Sequence, residues 1–66
     1  MTIATPDELL TRWLEAVATG LPVSAKSYAT ALLEKIDRTG REPHWNEKRR
    51  RFFYAWCDRE GLTKHV

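Results

Sequence analysis

This sequence of 66 residues has few residues of the types that form disulfides, metal sites and tight loops in very small domains. It contains one cysteine, three glycines and three prolines. Because Cys57 has no second cysteine to pair with, an internal disulfide is excluded, and a lone thiol favours a reducing, intracellular setting. One cysteine and two distant histidines, His44 and His65, make no zinc-binding pattern, so no metal site is expected. A chain this short buries only roughly 60% of its unfolded surface. Its stability is therefore expected to come from good packing or from a partner.

Long apolar runs are also missing. No stretch approaches the ~20 apolar residues of a membrane span, and the N-terminus does not combine a basic segment with an apolar one, as a secretory signal does. The three glycines are spread along the chain, so no glycine-rich phosphate loop is present. We expect a cytoplasmic protein with no membrane partner.

Aromatic residues and an uneven charge distribution are what the sequence does contain. Three tryptophans, two tyrosines and two phenylalanines offer large apolar areas for a core. The net charge of +2 divides into −2 over residues 1–20, +1 over 21–40 and +3 over 41–66. This gradient from acidic to basic indicates an anionic partner for the C-terminal part.

Helix signals begin at residues 5–8, Thr-Pro-Asp-Glu, which read as a capping box with proline at the first helical position. Apolar residues then recur at helical spacing until Gly20 and Leu21, a glycine stop with a residue that can fold back. Ser24 is the expected N-cap of a second helix, and Gly40 ends it.

A third helix is expected to begin between Pro43 and Asn46 and to end at Gly61, with Leu62 packing back in a Schellman-like closure. The predicted helices span about residues 6–19, 24–39 and 44–60. They predict an all-α fold, either a compact three-helix bundle or a helix-turn-helix-like arrangement. The whole chain is expected to form a single helical domain, with loose termini at residues 1–4 and 63–66.

The most distinctive segment is Lys48-Arg-Arg-Arg-Phe-Phe-Tyr-Ala-Trp56, where basic residues run directly into aromatic ones. On a helix, Phe52, Phe53 and Trp56 are predicted to point inward. Lys48, Arg51 and Arg59 would gather around the small residue Ala55, where a helix can approach a phosphate backbone. The predicted nucleic-acid contacts are Lys48, Arg50, Arg51, Tyr54 and Arg59.

A second interpretation gives the same surface to a protein partner. Tyr54 is predicted to lie opposite the inner face and hence to be exposed among arginines, a combination enriched at interface hot spots. The candidate anchors are Trp45, Arg50 and Tyr54. Trp13 and Trp56 are assigned to the core.

No residue combination predicts catalysis. Cys57 has no histidine at a spacing that would activate it, and neither His44 nor His65 has a recognisable acid-base partner. We therefore expect neither an enzyme nor a cofactor nor a small-molecule substrate.

From Ser24 onward the chain resembles the core-binding domain of tyrosine recombinases, a helical domain that grips DNA beside a separate catalytic domain. The resemblance rests on residues 24–28 at a helix start and on residues 50–56, Arg-Arg-Phe-Phe-Tyr-Ala-Trp, followed by Glu60-Gly61-Leu62. It covers about two-thirds of the chain. It implies a free-standing relative of the DNA-gripping part, because no catalytic domain follows in this sequence.

The leading functional hypothesis is a small non-enzymatic module that binds another protein or itself, as an adaptor, an inhibitor or a homodimer, since a marginal core favours association. The alternative is a DNA- or RNA-binding module, such as a phage, plasmid or bacterial regulator, which uses the basic, aromatic third helix on phosphates.

Overall fold

The computed structural model describes residues 5–62, which fold into a bundle of three α-helices and contain no strand. The helices are α1 (Pro6–Ala18), α2 (Pro22–Thr39) and α3 (Glu47–Arg59). The all-α, three-helix prediction is confirmed. The predicted loose termini at 1–4 and 63–66 lie outside the described residues.

Helix α1 begins and ends as the sequence predicts. The Thr5 hydroxyl accepts a hydrogen bond from the Glu8 backbone N–H at 3.1 Å, which satisfies one of the free donors of the first turn. At the other end Gly20 adopts a positive φ of 74°, and the Leu21 N–H donates to the Ala16 carbonyl at 2.9 Å. This is the Schellman closure, which satisfies carbonyls that the helix itself leaves free.

The predicted start of the second helix at residue 24 is wrong by two residues. Helix α2 begins at Pro22, and the Ala25 N–H already donates to the Leu21 carbonyl at 2.9 Å. Proline suits the first helical position because its missing N–H would have no partner there. The α1 closure therefore leads directly into α2, and Ser24 lies inside the first turn instead of capping it.

The third helix was predicted to begin between Pro43 and Asn46 and begins at Glu47, one residue past that range. Asn46 is its N-cap, and the Asn46 Oδ1 accepts from the Arg49 N–H at 2.7 Å. The preceding loop is held elsewhere, because the His44 N–H donates to the Asp7 carboxylate on α1 at 2.7 Å. A chain tied to another helix at residue 44 is not free to extend α3 toward its N-terminus.

Trp13 lies at the centre of the core. Helix α2 contributes the small side chains Ala25 and Ala29 beside it, whereas α3 contributes Phe53, which meets the Trp13 ring edge to face with centroids 4.9 Å apart. The Trp13 Nε1 is buried and has no hydrogen-bond acceptor among residues 5–62. The prediction that Trp13 is a core residue is confirmed. The buried core comprises Leu9, Leu10, Trp13, Ala16, Ala25, Ala29, Leu32, Phe53 and Cys57.

Helix α3 closes the bundle at its C-terminal end. The Leu62 N–H donates to the Cys57 carbonyl at 2.9 Å, and Leu62 packs against the core, as predicted. An ion pair of 3.5 Å between Lys26 on α2 and Glu60 joins the same end of α3 to α2. The side of α3 that is turned away from α1 and α2 remains exposed to solvent.

Candidate binding surface

Of the basic residues among the predicted nucleic-acid contacts on α3, some form ion pairs within the chain and others do not. Arg51 Nε lies 3.1 Å from a Glu47 carboxylate oxygen. Arg50 lies within 4.0 Å of the same carboxylate and 3.7 Å from that of Glu42. Two of the five predicted contacts are thus already engaged by carboxylates of this chain.

Arg50 also belongs to an internal cluster with Tyr54 and Trp45. Its guanidinium lies 5.5 Å from the centroid of the Tyr54 ring, which in turn contacts the Trp45 ring at 5.9 Å. The Trp45 indole N–H donates to Glu42 at 3.4 Å. The structure therefore brings the three predicted protein anchors together, but they contact one another.

The prediction that Tyr54 is exposed is wrong. Its side chain is half-buried, because the Trp45 ring from the loop before α3 and the Phe53 ring both pack against it. Burial raises the pKa of the Tyr54 hydroxyl, and the nearby Glu42 charge raises it further.

The remaining cations of α3 face solvent without partners. Lys48, Arg49 and Arg59 are exposed and form no ion pair with any residue between 5 and 62. At 100° per residue they fall on one side of the helix, interleaved with aromatic and small side chains. We call this surface the basic-aromatic strip; it consists of Lys48, Arg49, Phe52, Ala55, Trp56 and Arg59.

Phe52 is the exposed aromatic residue of this strip, although the sequence predicted it to point inward. Its side chain is 47% exposed. Neighbouring residues on a helix point about 100° apart, so Phe52 and Phe53 cannot both enter the core, and Phe53 occupies it. The inner side of Phe52 still rests on Trp13, with ring centroids 5.6 Å apart at 54°.

Trp56 continues the strip one turn beyond Phe52. It is half-buried and meets Trp13 edge to face at 5.5 Å, so its predicted place in the core is only partly correct. Phe52 and Trp56 thus stand side by side on one buried indole, which holds both rings in place.

Acidic residues of α3 lie away from the strip. On helical geometry Glu47 and Asp58 point about 120° or more round the axis from Phe52. Glu47 is engaged with Arg50 and Arg51 on that other side. The strip therefore presents positive charge around an exposed aromatic ring without an interspersed carboxylate of its own helix.

Sequence reasoning overlooked three members of this surface: Phe52 and Trp56 were predicted to point inward, and Arg49 was not among the predicted contacts. A usable signal was present in the sequence. Of two consecutive phenylalanines on an amphipathic helix only one can point into the core, and Arg49 is one turn from Phe52.

A second surface feature lies between α1 and α2. Leu21 is 53% and Val23 81% exposed, so the turn between these helices and the start of α2 present two large apolar side chains to solvent. Beside them is an open groove of about 460 Å³. The groove is lined by Arg12, Glu15, Ala16, Ala18, Thr19, Leu21, Ser24 and Tyr28.

The reactive groups of the described chain are not arranged around a cavity. Burial raises the pKa of the Cys57 thiol to about 11, so it is protonated at neutral pH. The His44 ring lies 3.2 Å from the Asp7 carboxylate but is 96% exposed, and the pair ties the loop to α1. Residues 5–62 contain no group of three potential metal ligands, and none of their helices is long and apolar enough to cross a membrane.

Comparison of the chain with protein-family models, with curated proteins and with solved structures finds no match.

Proposed function

We propose that this protein is a small, non-enzymatic binding module for nucleic acid and that the basic-aromatic strip of α3 is its binding surface. The observation that carries the proposal is the grouping of Lys48, Arg49 and Arg59, exposed and without carboxylate partners among residues 5–62, around the exposed Phe52. A cation that already forms an ion pair within the chain contributes little to the free energy of binding a phosphate. Unpaired cations gain counterion release as well as the contact itself.

The strip has the dimensions and shape of a phosphate-binding surface. Lys48 and Arg59 are eleven residues apart, which corresponds to about 16 Å along the helix axis. Between them Ala55 is exposed and has a short side chain, so a backbone can approach the helix closely. The positive end of the chain's charge gradient supports the same choice of partner.

This proposal revises the set of contacts expected from sequence. Lys48 and Arg59 are retained and Arg49 is added, while Arg50 and Tyr54 belong to the internal cluster and Arg51 is paired with Glu47. The resemblance to recombinase core-binding domains, which rests partly on the same helix, also favours a nucleic-acid partner.

Fluorescence anisotropy of a labelled random oligonucleotide, titrated separately as a single strand and as a duplex, tests the proposal. Three phosphate contacts predict that affinity falls about 20- to 40-fold between about 50 and 200 mM salt. Substitution of Lys48, Arg49 and Arg59 by glutamine should abolish most of this salt dependence.

A matched control separates a site from general charge attraction. Lys35→Gln, Arg38→Gln and Arg41→Gln also remove one lysine and two arginines, but from α2 and the loop that follows it. They should leave binding nearly unchanged. Equal losses in the two triple variants, or no binding of either nucleic acid at low salt, would contradict the proposal.

A protein partner is the second candidate, and the exposed pair Leu21 and Val23 beside the α1–α2 groove favours it. Exposed apolar residues that flank a groove are typical of protein interfaces. An adaptor, an inhibitor or a homodimer would use this surface rather than the internally engaged Trp45 cluster. Sedimentation of the protein and of its Leu21→Ser, Val23→Ser variant tests the homodimer: association that the variant loses supports it, and a monomer at all concentrations excludes it.

The lone, buried Cys57 supports a reducing compartment, and we propose a cytoplasmic location. Localisation of the tagged chain by fractionation of its host cells tests this.

A further inference from the structure

Phe52 is a large apolar residue that the packing of α3 leaves partly exposed to solvent. Its ring is 47% exposed, while the adjacent Phe53 is fully buried. Its position is nevertheless fixed from behind, because the buried Trp13 indole supports it at 5.6 Å. A partly exposed aromatic ring whose inner side contacts a buried indole, here at a tilt of 54°, offers apolar surface on which another flat ring can stack.

The surroundings of this ring indicate which flat ring it receives. Lys48 precedes Phe52 by one turn, Arg49 precedes it by three residues, and Arg59 follows it by about two turns. All three are exposed and unpaired within residues 5–62. A purely apolar partner would leave these charges without compensation. A ligand that carries flat rings on an anionic backbone satisfies both features together.

We infer that the basic-aromatic strip binds single-stranded nucleic acid in preference to duplex, with an unpaired base stacked on Phe52 and the neighbouring phosphates held by Lys48, Arg49 and Arg59. This inference rests on the proposed function and deepens it. In a duplex the base faces are already stacked on each other, so the Phe52 ring would gain nothing from them. In a single strand the faces are free, and aromatic stacking on them tolerates any sequence.

Trp56 has a supporting part in this arrangement. It lies one turn after Phe52 and rests on the same Trp13 indole at 5.5 Å, so its exposed edge extends the platform along the helix. On helical geometry the exposed Ala55 lies on the other side of Phe52 from Trp56, and its short side chain leaves room for a strand to follow the helix axis beside the two rings.

Anisotropy titrations of a labelled oligothymidine, and of the same strand paired to its complement, test the inference. The single strand should bind more tightly than the duplex. Phe52→Leu keeps an apolar side chain of similar size but removes the aromatic face, and it should weaken single-strand binding on the order of tenfold. It should hardly affect the duplex. Phe52→Tyr restores an aromatic face and should retain most of the affinity.

Two controls keep these outcomes distinct. Circular dichroism and the urea midpoint of Phe52→Leu show whether the variant is folded, and Val23→Ala removes an exposed apolar side chain from a different surface. If duplex is preferred, or if both forms bind equally and Phe52→Leu changes neither, the stacking inference is wrong while the proposed function stands. If neither form binds at low salt, the proposed function itself fails.

Discussion

Trp13 and Phe53 meet edge to face, with ring centroids 4.9 Å apart at 83°, and neither side chain is exposed. The contact joins α1 to α3 across the core, and it determines the direction in which the preceding residue, Phe52, points. Because Phe53 points at Trp13, Phe52 is turned about 100° toward solvent. One packing contact therefore creates both the centre of the core and the exposed ring of the basic-aromatic strip.

The two adjacent phenylalanines should differ sharply in their effect on stability. Phe53→Ala removes a fully buried ring and should lower the free energy of unfolding by about 3–5 kcal/mol. Such a loss approaches the whole stability of a domain of this size. Phe52→Ala loses mainly one ring contact and should cost about 1 kcal/mol. Urea unfolding followed by circular dichroism measures both, and equal losses would show that the side chains are not divided between core and surface in this way.

Cys57 predicts a loss of stability in alkaline solution. Burial raises its pKa from 9.0 to about 11, so the folded protein retains the thiol proton over a pH range in which the unfolded chain releases it. Between about pH 9 and about pH 11 the unfolded state binds fewer protons, and the free energy of unfolding therefore decreases as pH rises.

Urea midpoints measured across this range, for the protein and for Cys57→Ala, isolate the contribution of the thiol. The alanine variant should show a shallower decline, since it has no thiol to ionise on unfolding. The comparison concerns the two slopes, because the substitution also removes buried volume. Parallel slopes would mean that another group is responsible.

The contact between Asp7 and His44 predicts that the stability of the fold depends on pH in acidic solution. The His44 backbone N–H donates to the Asp7 carboxylate at 2.7 Å, and this bond is the main cause that lowers the pKa of Asp7 below 3.8. A lowered pKa stabilises the folded state above the ordinary value, and the stabilisation is lost as pH falls through the lowered value. Asp7→Ala should therefore be less stable than the natural chain at neutral pH, and the difference should vanish in strong acid.

Hydrogen exchange offers a local measurement of the same contact. The His44 amide should exchange faster in Asp7→Ala, while the amide of Leu32 in the core of α2 serves as the control. Asp7→Asn keeps an acceptor oxygen and should protect the His44 amide in part. Unchanged exchange in Asp7→Ala would show that the carboxylate does not hold the loop.

Glu47 should restrain nucleic-acid binding, because its carboxylate engages both Arg50 and Arg51. Glu47→Gln frees Arg51 and leaves Arg50 paired only with Glu42, and it should raise affinity about two- to fivefold at low salt, since an exposed ion pair contributes about 0.2–1 kcal/mol. Glu34→Gln removes the same charge from an exposed position on α2 and is the matched control. Anisotropy titrations of the two variants compare them, and equal gains would attribute the effect to net charge alone.

Local signals in the sequence were sufficient for the helices but not for the starting points of α2 and α3. Gly20 and Gly61 end α1 and α3 as predicted, because a left-handed residue with a hydrophobic follower is a local motif. The starts of α2 and α3 were placed wrongly. Ser24 has the chemistry of an N-cap but lies within a helix that begins at Pro22, and the Asp7–His44 contact joins residues 37 apart in the chain.

By itself the sequence determined that this chain is all-helical, that Trp13 is buried and that positive charge collects at the C-terminal part, since each depends on periodicity, composition or local caps. Only the tertiary structure decided which aromatic residues of the third helix face solvent. Trp45 folds over Tyr54, and Trp13 accepts Phe53 and leaves Phe52 outside. The physical reason is that α3 carries more aromatic side chains than its inner face can hold. Contacts with residues outside α3 determine which of them are buried.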